Sequence, residues 1–186
     1  MRLRLAFLLV ALVLGCAPAA HAAGGRYSFD GGTRAEQAQV TAALDASSFD
    51  WGIVPGHVVV HIASNIVSSA APNEIWLDAR LLDAGRFSWG VVQHEYAHVV
   101  DFGVLTDAMR AQLAPLLGGT SWWGAAADHD RLDSERFADL LAYAYWPSEA
   151  NIAGPARDAG SFRSALSSLL HMRTLQRVSA HTAARG

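Results

Sequence analysis

The sequence predicts a single α+β domain, mainly helical with a small sheet. Three observations carry that expectation. The chain has 186 residues, 52% hydrophobic and 17% charged, about one domain's length with enough apolar material for a packed core. Two short valine- and aromatic-rich runs, HVVVHI at 57 to 62 and EIWLD at 74 to 78, have the composition of strands. Five longer stretches place apolar residues at helical spacing.

The N-terminus is expected to stand outside that domain. Met1-Arg2-Leu3-Arg4 is a short basic start, Leu5 to Leu14 is an unbroken apolar run, and Ala20-His21-Ala22 offers a small-x-small cleavage site. The pattern reads as a signal peptide over 1–22, too short to span a bilayer as a mature helix, followed by one domain over 23–186. Val13-Leu14-Gly15-Cys16 looks like a bacterial lipoprotein box, although leucine before the glycine fits that box poorly and an ordinary cleavage site follows. Free secretion is therefore the expectation, with lipid anchoring through Cys16 at the cell surface as the alternative.

Charge and cysteine usage narrow the chemistry. All 14 basic residues are arginine and the formal net charge is −3. Removing Arg2 and Arg4 with the signal leaves 12 arginines against 17 acids, or −5. No basic block suggests nucleic acid or an anionic membrane surface as partner. Cys16, the sole cysteine, would leave with the signal. The mature domain would have no disulfide, and any metal site must be built from His, Asp and Glu, an N/O donor set.

The elements follow in order. Thr33-Arg34-Ala35-Glu36 reads as a capping box opening a helix over 34–46. HVVVHI and EIWLD each follow a proline-containing turn. His57 and His61 flank the first strand and are ordinary strand residues in this reading. From 87 to 102, Val91, Val92, Val99 and Val100 keep helical spacing around HEYAH. Thr106 or Asp107 caps the next helix, which Gly118-Gly119 stops after Leu117. SWWGAAADHD, 121 to 130, reads as a loop. Two further helices are expected over 131–146, ended by Pro147, and over 160–177, with a frayed tail after Val178.

HEYAH, residues 94 to 98, carries the chemistry. Histidines four apart lie on one helix face, so His94 and His98 can both present a ring nitrogen to one ion. Glu95 is turned about 100° around the helix, which places its carboxylate beside a metal-activated water as general base. With 8 histidines and 5 glutamates in the chain, such a motif arises by chance in roughly one sequence in a hundred, so context has to support it. Positions 101 and 104, Asp101 and Val104, exclude a third histidine on the same segment. Asp101 is read as a structural residue at the helix end. Downstream, Glu135 and Asp139 are four apart on one face of the 131–146 helix. Glu135 can complete a His2Glu site with one open position, and Asp139 can accept a hydrogen bond from a ligand imidazole. A solvated acidic pair is the alternative.

HEYAHVVDF followed by ERFADLLAYAY resembles the gluzincin metallopeptidases. It is particularly similar to the small secreted zincins related to lethal-factor-type peptidase domains, in which H-E-x-x-H-x-x-D precedes E-x-F-A-[ED]. The resemblance covers roughly 60 residues, 87 to 146, and is specific at those two helices. It implies a zincin-like metallopeptidase fold, Zn2+ held by His94, His98 and Glu135, Glu95 as general base, and a peptide or protein substrate. It also implies that EIWLD is the edge strand along which an extended peptide lies.

The sequence departs from the pattern at one place. Relatives of this type often carry a tyrosine several residues before the glutamate ligand, where its hydroxyl stabilises the oxyanion. AAADHDRLDS has none, leaving His129, Tyr143 and Tyr145 as weaker candidates. Two alternative functions follow: a weak or inactive zincin-like module exported to bind a partner, and an amide hydrolase acting on a cell-wall substrate. Trp122-Trp123 reads equally as a substrate subsite or as core or lid.

Overall fold

A computed structural model describes residues 26–119, 121–124, 131–151 and 158–183, with the backbone alone described over 177–183. The expected signal peptide and Cys16 lie outside the described residues, as does His129. Among the described residues, twelve segments of regular structure follow in order, and together they form an α+β domain around one shared core.

The sheet is mixed. β1 (Tyr27–Gly31), β2 (Val58–Ala63) and β4 (Glu74–Asp78) are parallel, and β3 (Ser69–Ala71) runs antiparallel to β4, giving the order β1-β2-β4-β3. The register aligns Asp30 with His61 and His61 with Trp76. Alternation fixes which face is inside. Val58, Val60 and Ile62 of β2 and Ile75 and Leu77 of β4 are buried, whereas His61 and Trp76 stack on the other face. Gly31 ends β1 at φ 79°, and a Cβ there would stand 2.6 Å from the Ile62 carbonyl oxygen, so only glycine lets the chain leave the sheet at that point.

EIWLD is a strand as expected but not the edge strand. It lies between β2 and β3, and the outer position belongs to β3. β1 and β3 are additional to the predicted strands. β3 is Ser-Ala-Ala, a sequence with no strand preference of its own, held in place by pairing with β4.

The helices behave largely as their caps dictate. α1 (Arg34–Ala46) opens with the reciprocal Thr33–Glu36 capping box. A short helix α2 (Ala79–Leu82) and a 3-10 turn (Gly85–Ser88) lead into α3 (Trp89–Val104). α4 (Asp107–Leu117) starts at the Thr106 cap and stops at Gly118, which takes the left-handed conformation at φ 66°. α5 spans Asp133–Tyr145, and α6 runs from Ala159 to Ala183, continuing past the point near Val178 where fraying was expected. No helix among the described residues is long and apolar enough to cross a membrane.

α3 is the centre of the molecule. It packs against α1, α5 and both β3 and β4, and Val92, Tyr96, Ala97, Val99, Val100 and Val104 are all buried. A helix enclosed on nearly every side must satisfy whatever polar groups it carries. Gln93 does so in part by donating to the Ala43 carbonyl of α1. Asp101, fully buried, accepts from Arg110 Nε at 2.8 Å and from Trp122 Nε1 at 2.9 Å. Burial pushes the Asp101 carboxyl up against the opposing pull of those two donors. The expected structural role fits: Asp101 ties α3 to α4 and to the segment after it. At the far end of the helix, Arg173 of α6 donates to the Val104 carbonyl.

Candidate metal centre

Two histidines of α3 face α5. His94 and His98 stand one turn apart on α3, and Glu135 in the first turn of α5 meets both. His94 Nε2 and His98 Nε2 are 3.1 Å apart, and Glu135 Oε2 lies 3.3 Å from the first and 3.4 Å from the second. Asp139, a turn further along α5, reaches the outer nitrogen of His94, with Nδ1 to Oδ1 at 2.8 Å. A carboxylate only accepts, so Nδ1 carries the proton. In the neutral ring Nε2 is then left with a lone pair aimed at the other two donors.

Two features suit this triad to an ion. Three donor atoms sit within 4.8 Å of one another, from two imidazoles and one carboxylate. A tetrahedral zinc ion with bonds of ~2.0–2.1 Å would hold its ligand atoms about 3.3–3.4 Å apart, close to the three separations found. Without a cation the same groups can be reconciled only by sharing protons. Burial opposes the charged form of His94, but its hydrogen bonds to Asp139 and Glu135 outweigh this and hold its pKa up at about 10. Partial burial by itself raises the Glu135 carboxyl, but the hydrogen bonds from His94 and His98 reverse the effect and hold it well below the usual carboxylate range. The site favours positive charge between its ligands.

Glu95, adjacent to His94, is buried and lines the same cleft. The cleft measures about 330 Å³ and is bordered also by Ser69 and Ala70 of β3, by Phe102 of α3, and by Trp123 and Leu132. An opening of that size accommodates a ligand segment. α5 is positioned at the cleft by its own first residue: Asp133 accepts from the Gly119 amide at 2.8 Å and donates its amide to the Ser121 carbonyl at 2.8 Å. This ties the tryptophan-bearing segment to the helix that carries Glu135.

The other expected site residues fall elsewhere. Tyr145 points into the α5–α6 interface, its hydroxyl 3.3 Å from Ser167 Oγ and its ring edge-on to Phe49. Tyr143 is not among the residues that line the cleft, and no tyrosine is found among the described lining residues. Tyr145 is engaged at α6 instead. His57 and His61 belong to the sheet, bonded to Ser28 and Asp30. Of the paired tryptophans, Trp122 turns inward against Phe137, whereas Trp123 stacks on Phe102 at the cleft. Phe102 was legible in principle, because it repeats the four-residue spacing of His94 and His98. β3 was not, because Ser-Ala-Ala is short and has no strand preference of its own.

The chain matches no protein-family model, no curated protein and no solved structure.

Proposed function

We propose that the protein is an exported zinc-dependent metallopeptidase with a zincin-like fold. The observation that carries this reading is the convergence of His94 Nε2, His98 Nε2 and Glu135 Oε2 at 3.1 to 3.4 Å from one another, beside the Glu95 carboxylate in an open cleft. The two imidazoles and Glu135 would hold the ion. When bound, zinc polarises a scissile carbonyl and lowers the pKa of water toward neutrality. Glu95 takes the proton from the attacking water and returns it to the departing amine. Asp139 keeps His94 in the tautomer that presents Nε2 to the ion. The outer edge of β3 borders the cleft, and an extended peptide fits there by strand addition, with main-chain hydrogen bonds supplying the affinity. Secretion follows from the N-terminal pattern, with a lipid anchor at Cys16 as its alternative.

The metal content of the purified protein tests the reading. Native mass spectrometry should find one zinc per wild-type chain and none in Glu135→Ala. Wild-type protein without zinc after reconstitution would remove the hypothesis. A graded effect is expected one step further out: Asp139→Ala should weaken zinc binding by about 10–100-fold in a competitive chelator titration. Unchanged affinity would mean that Asp139 does not orient His94.

The missing cleft tyrosine favours a second reading, in which the zincin-like module binds a partner or a cell-wall component and cleaves weakly or not at all. Zinc-loaded wild type that leaves a peptide library intact would select it. An amide hydrolase acting on a cell-wall substrate would use the same groups and would be recognised by its products.

A further inference from the structure

We propose that Phe102 and Trp123 form an aromatic subsite at the metal centre, which selects peptides carrying a bulky apolar or aromatic side chain close to the scissile bond. The proposal rests on the metallopeptidase reading for its substrate and on the following geometry for its specificity.

His94, His98 and Phe102 occupy one face of α3 at successive turns, and Trp123 extends the row. The centroid steps are 4.8 Å, 6.4 Å and 5.6 Å, and the Phe102 and Trp123 rings lie within 4° of parallel. Phe102 and Trp123 stand next to the histidines on the wall of the same cleft, within reach of a side chain that neighbours a carbonyl placed at His94 and His98.

Trp123 is 49% exposed, a large ring left half in water at the mouth of a cleft. It is nonetheless held. Its guanidinium neighbour Arg110 lies 5.5 Å from the ring centroid, and Arg110 is itself fixed by Asp101 and Asp107. The preceding Trp122 is bonded to Asp101. A ring positioned in advance loses little freedom when a ligand stacks on it.

Charge completes the argument. Among the described residues that line the cleft, the charged or titratable groups are His94, Glu95, His98 and Glu135, all at the metal end. Phe102, Trp123, Gly124 and Leu132 offer no counter-charge. A charged substrate side chain on this wall would lose water and find no counter-charge among these residues, with the nearby Arg110 already engaged by Asp101 and Asp107, whereas an apolar one covers exposed aromatic surface.

Binding rather than turnover tests the subsite. Glu95→Gln protein loaded with zinc is titrated calorimetrically with acetyl-Gly-Phe-Leu-Gly-amide, with its Ala-Ala counterpart and with its Glu-Glu counterpart. The Phe-Leu peptide should bind about 10–100-fold more tightly than either, the range expected for apolar pocket discrimination. Adding Trp123→Ala should erase most of that difference, and Trp123→Phe should keep it. Equal binding of the three peptides, or a preference that survives Trp123→Ala in protein that retains its zinc, would overturn the proposal. Wild-type protein separates the two levels of the argument. If it shows the Phe-Leu preference in binding and leaves all three peptides uncut, the subsite stands and the peptidase reading falls. If it cuts all three at equal rates and binds them equally, the peptidase reading stands and the subsite falls.

Discussion

Replacing Glu95 by glutamine should reduce kcat/KM on any peptide substrate by about 10²–10⁴-fold, the usual worth of a positioned general base, while zinc stays bound. The substitution keeps the size and shape of a side chain that is buried in the cleft wall, so α3 should keep its packing. It removes the one property the mechanism needs, a carboxylate that can accept a proton. Glutamine also leaves His94, His98 and Glu135 untouched, and these form the donor triad. Glu135→Ala behaves differently, because it removes a donor and should lose zinc and activity together. Measuring zinc stoichiometry and peptide cleavage on both variants separates proton transfer from metal binding. Glu95→Gln protein with zinc and activity within twofold of wild type would sink the mechanism.

Phe137→Ala should cost about 3–5 kcal/mol of stability, the range for deleting an enclosed aromatic ring. Phe137 is fully buried in α5, with its ring 5.9 Å from Trp122 and 5.7 Å from Phe162 of α6. It joins three parts of the molecule, so collapse around the vacated space would have to move all three. Phe137 is two positions beyond Glu135 and points about 200° away around the helix, so the donor triad keeps its side chains. Zinc at about 100 times its dissociation constant would return about 2.7 kcal/mol, less than the whole of the expected loss. Urea unfolding of the metal-free protein measures the cost directly. A change below 1 kcal/mol would show that the three elements do not depend on this ring.

The two predictions mark the difference between what was legible in the sequence and what was not. Glu95, His94 and His98 were readable because helix geometry alone puts residues four apart on one face. The pairing with Glu135 needed a second helix to be brought alongside, which depends on packing; its sequence trace was the E-x-x-x-D spacing with Asp139. α1, α4 and EIWLD were readable from capping residues and alternation. The order of strands was not, because β3 is defined by its partner rather than by its residues, and EIWLD was therefore placed at the edge when it lies inside the sheet. Tyr143 and Tyr145 were candidates by their nearness in sequence, but the helix turns Tyr145 toward α6. The segment carrying Trp122 and Trp123 reads as a loop, yet Asp133 and Asp101 pin it over the cleft through bonds that span 14 and 21 positions, distances at which sequence periodicity carries no information.

The enclosure of α3 divides the molecule into parts that tolerate mutation very differently. The donor-bearing helix is surrounded by α1, α5 and the sheet, so most changes along it disturb the core and threaten folding before they can alter chemistry. Trp123 lies off that helix at the open end of the row of rings, half in water, where a substitution disturbs less packing. Heritable variation can therefore accumulate at the mouth of the cleft while its floor stays fixed. A lineage built on this domain could vary the lining of the cleft mouth without altering the positions of His94, His98 and Glu135.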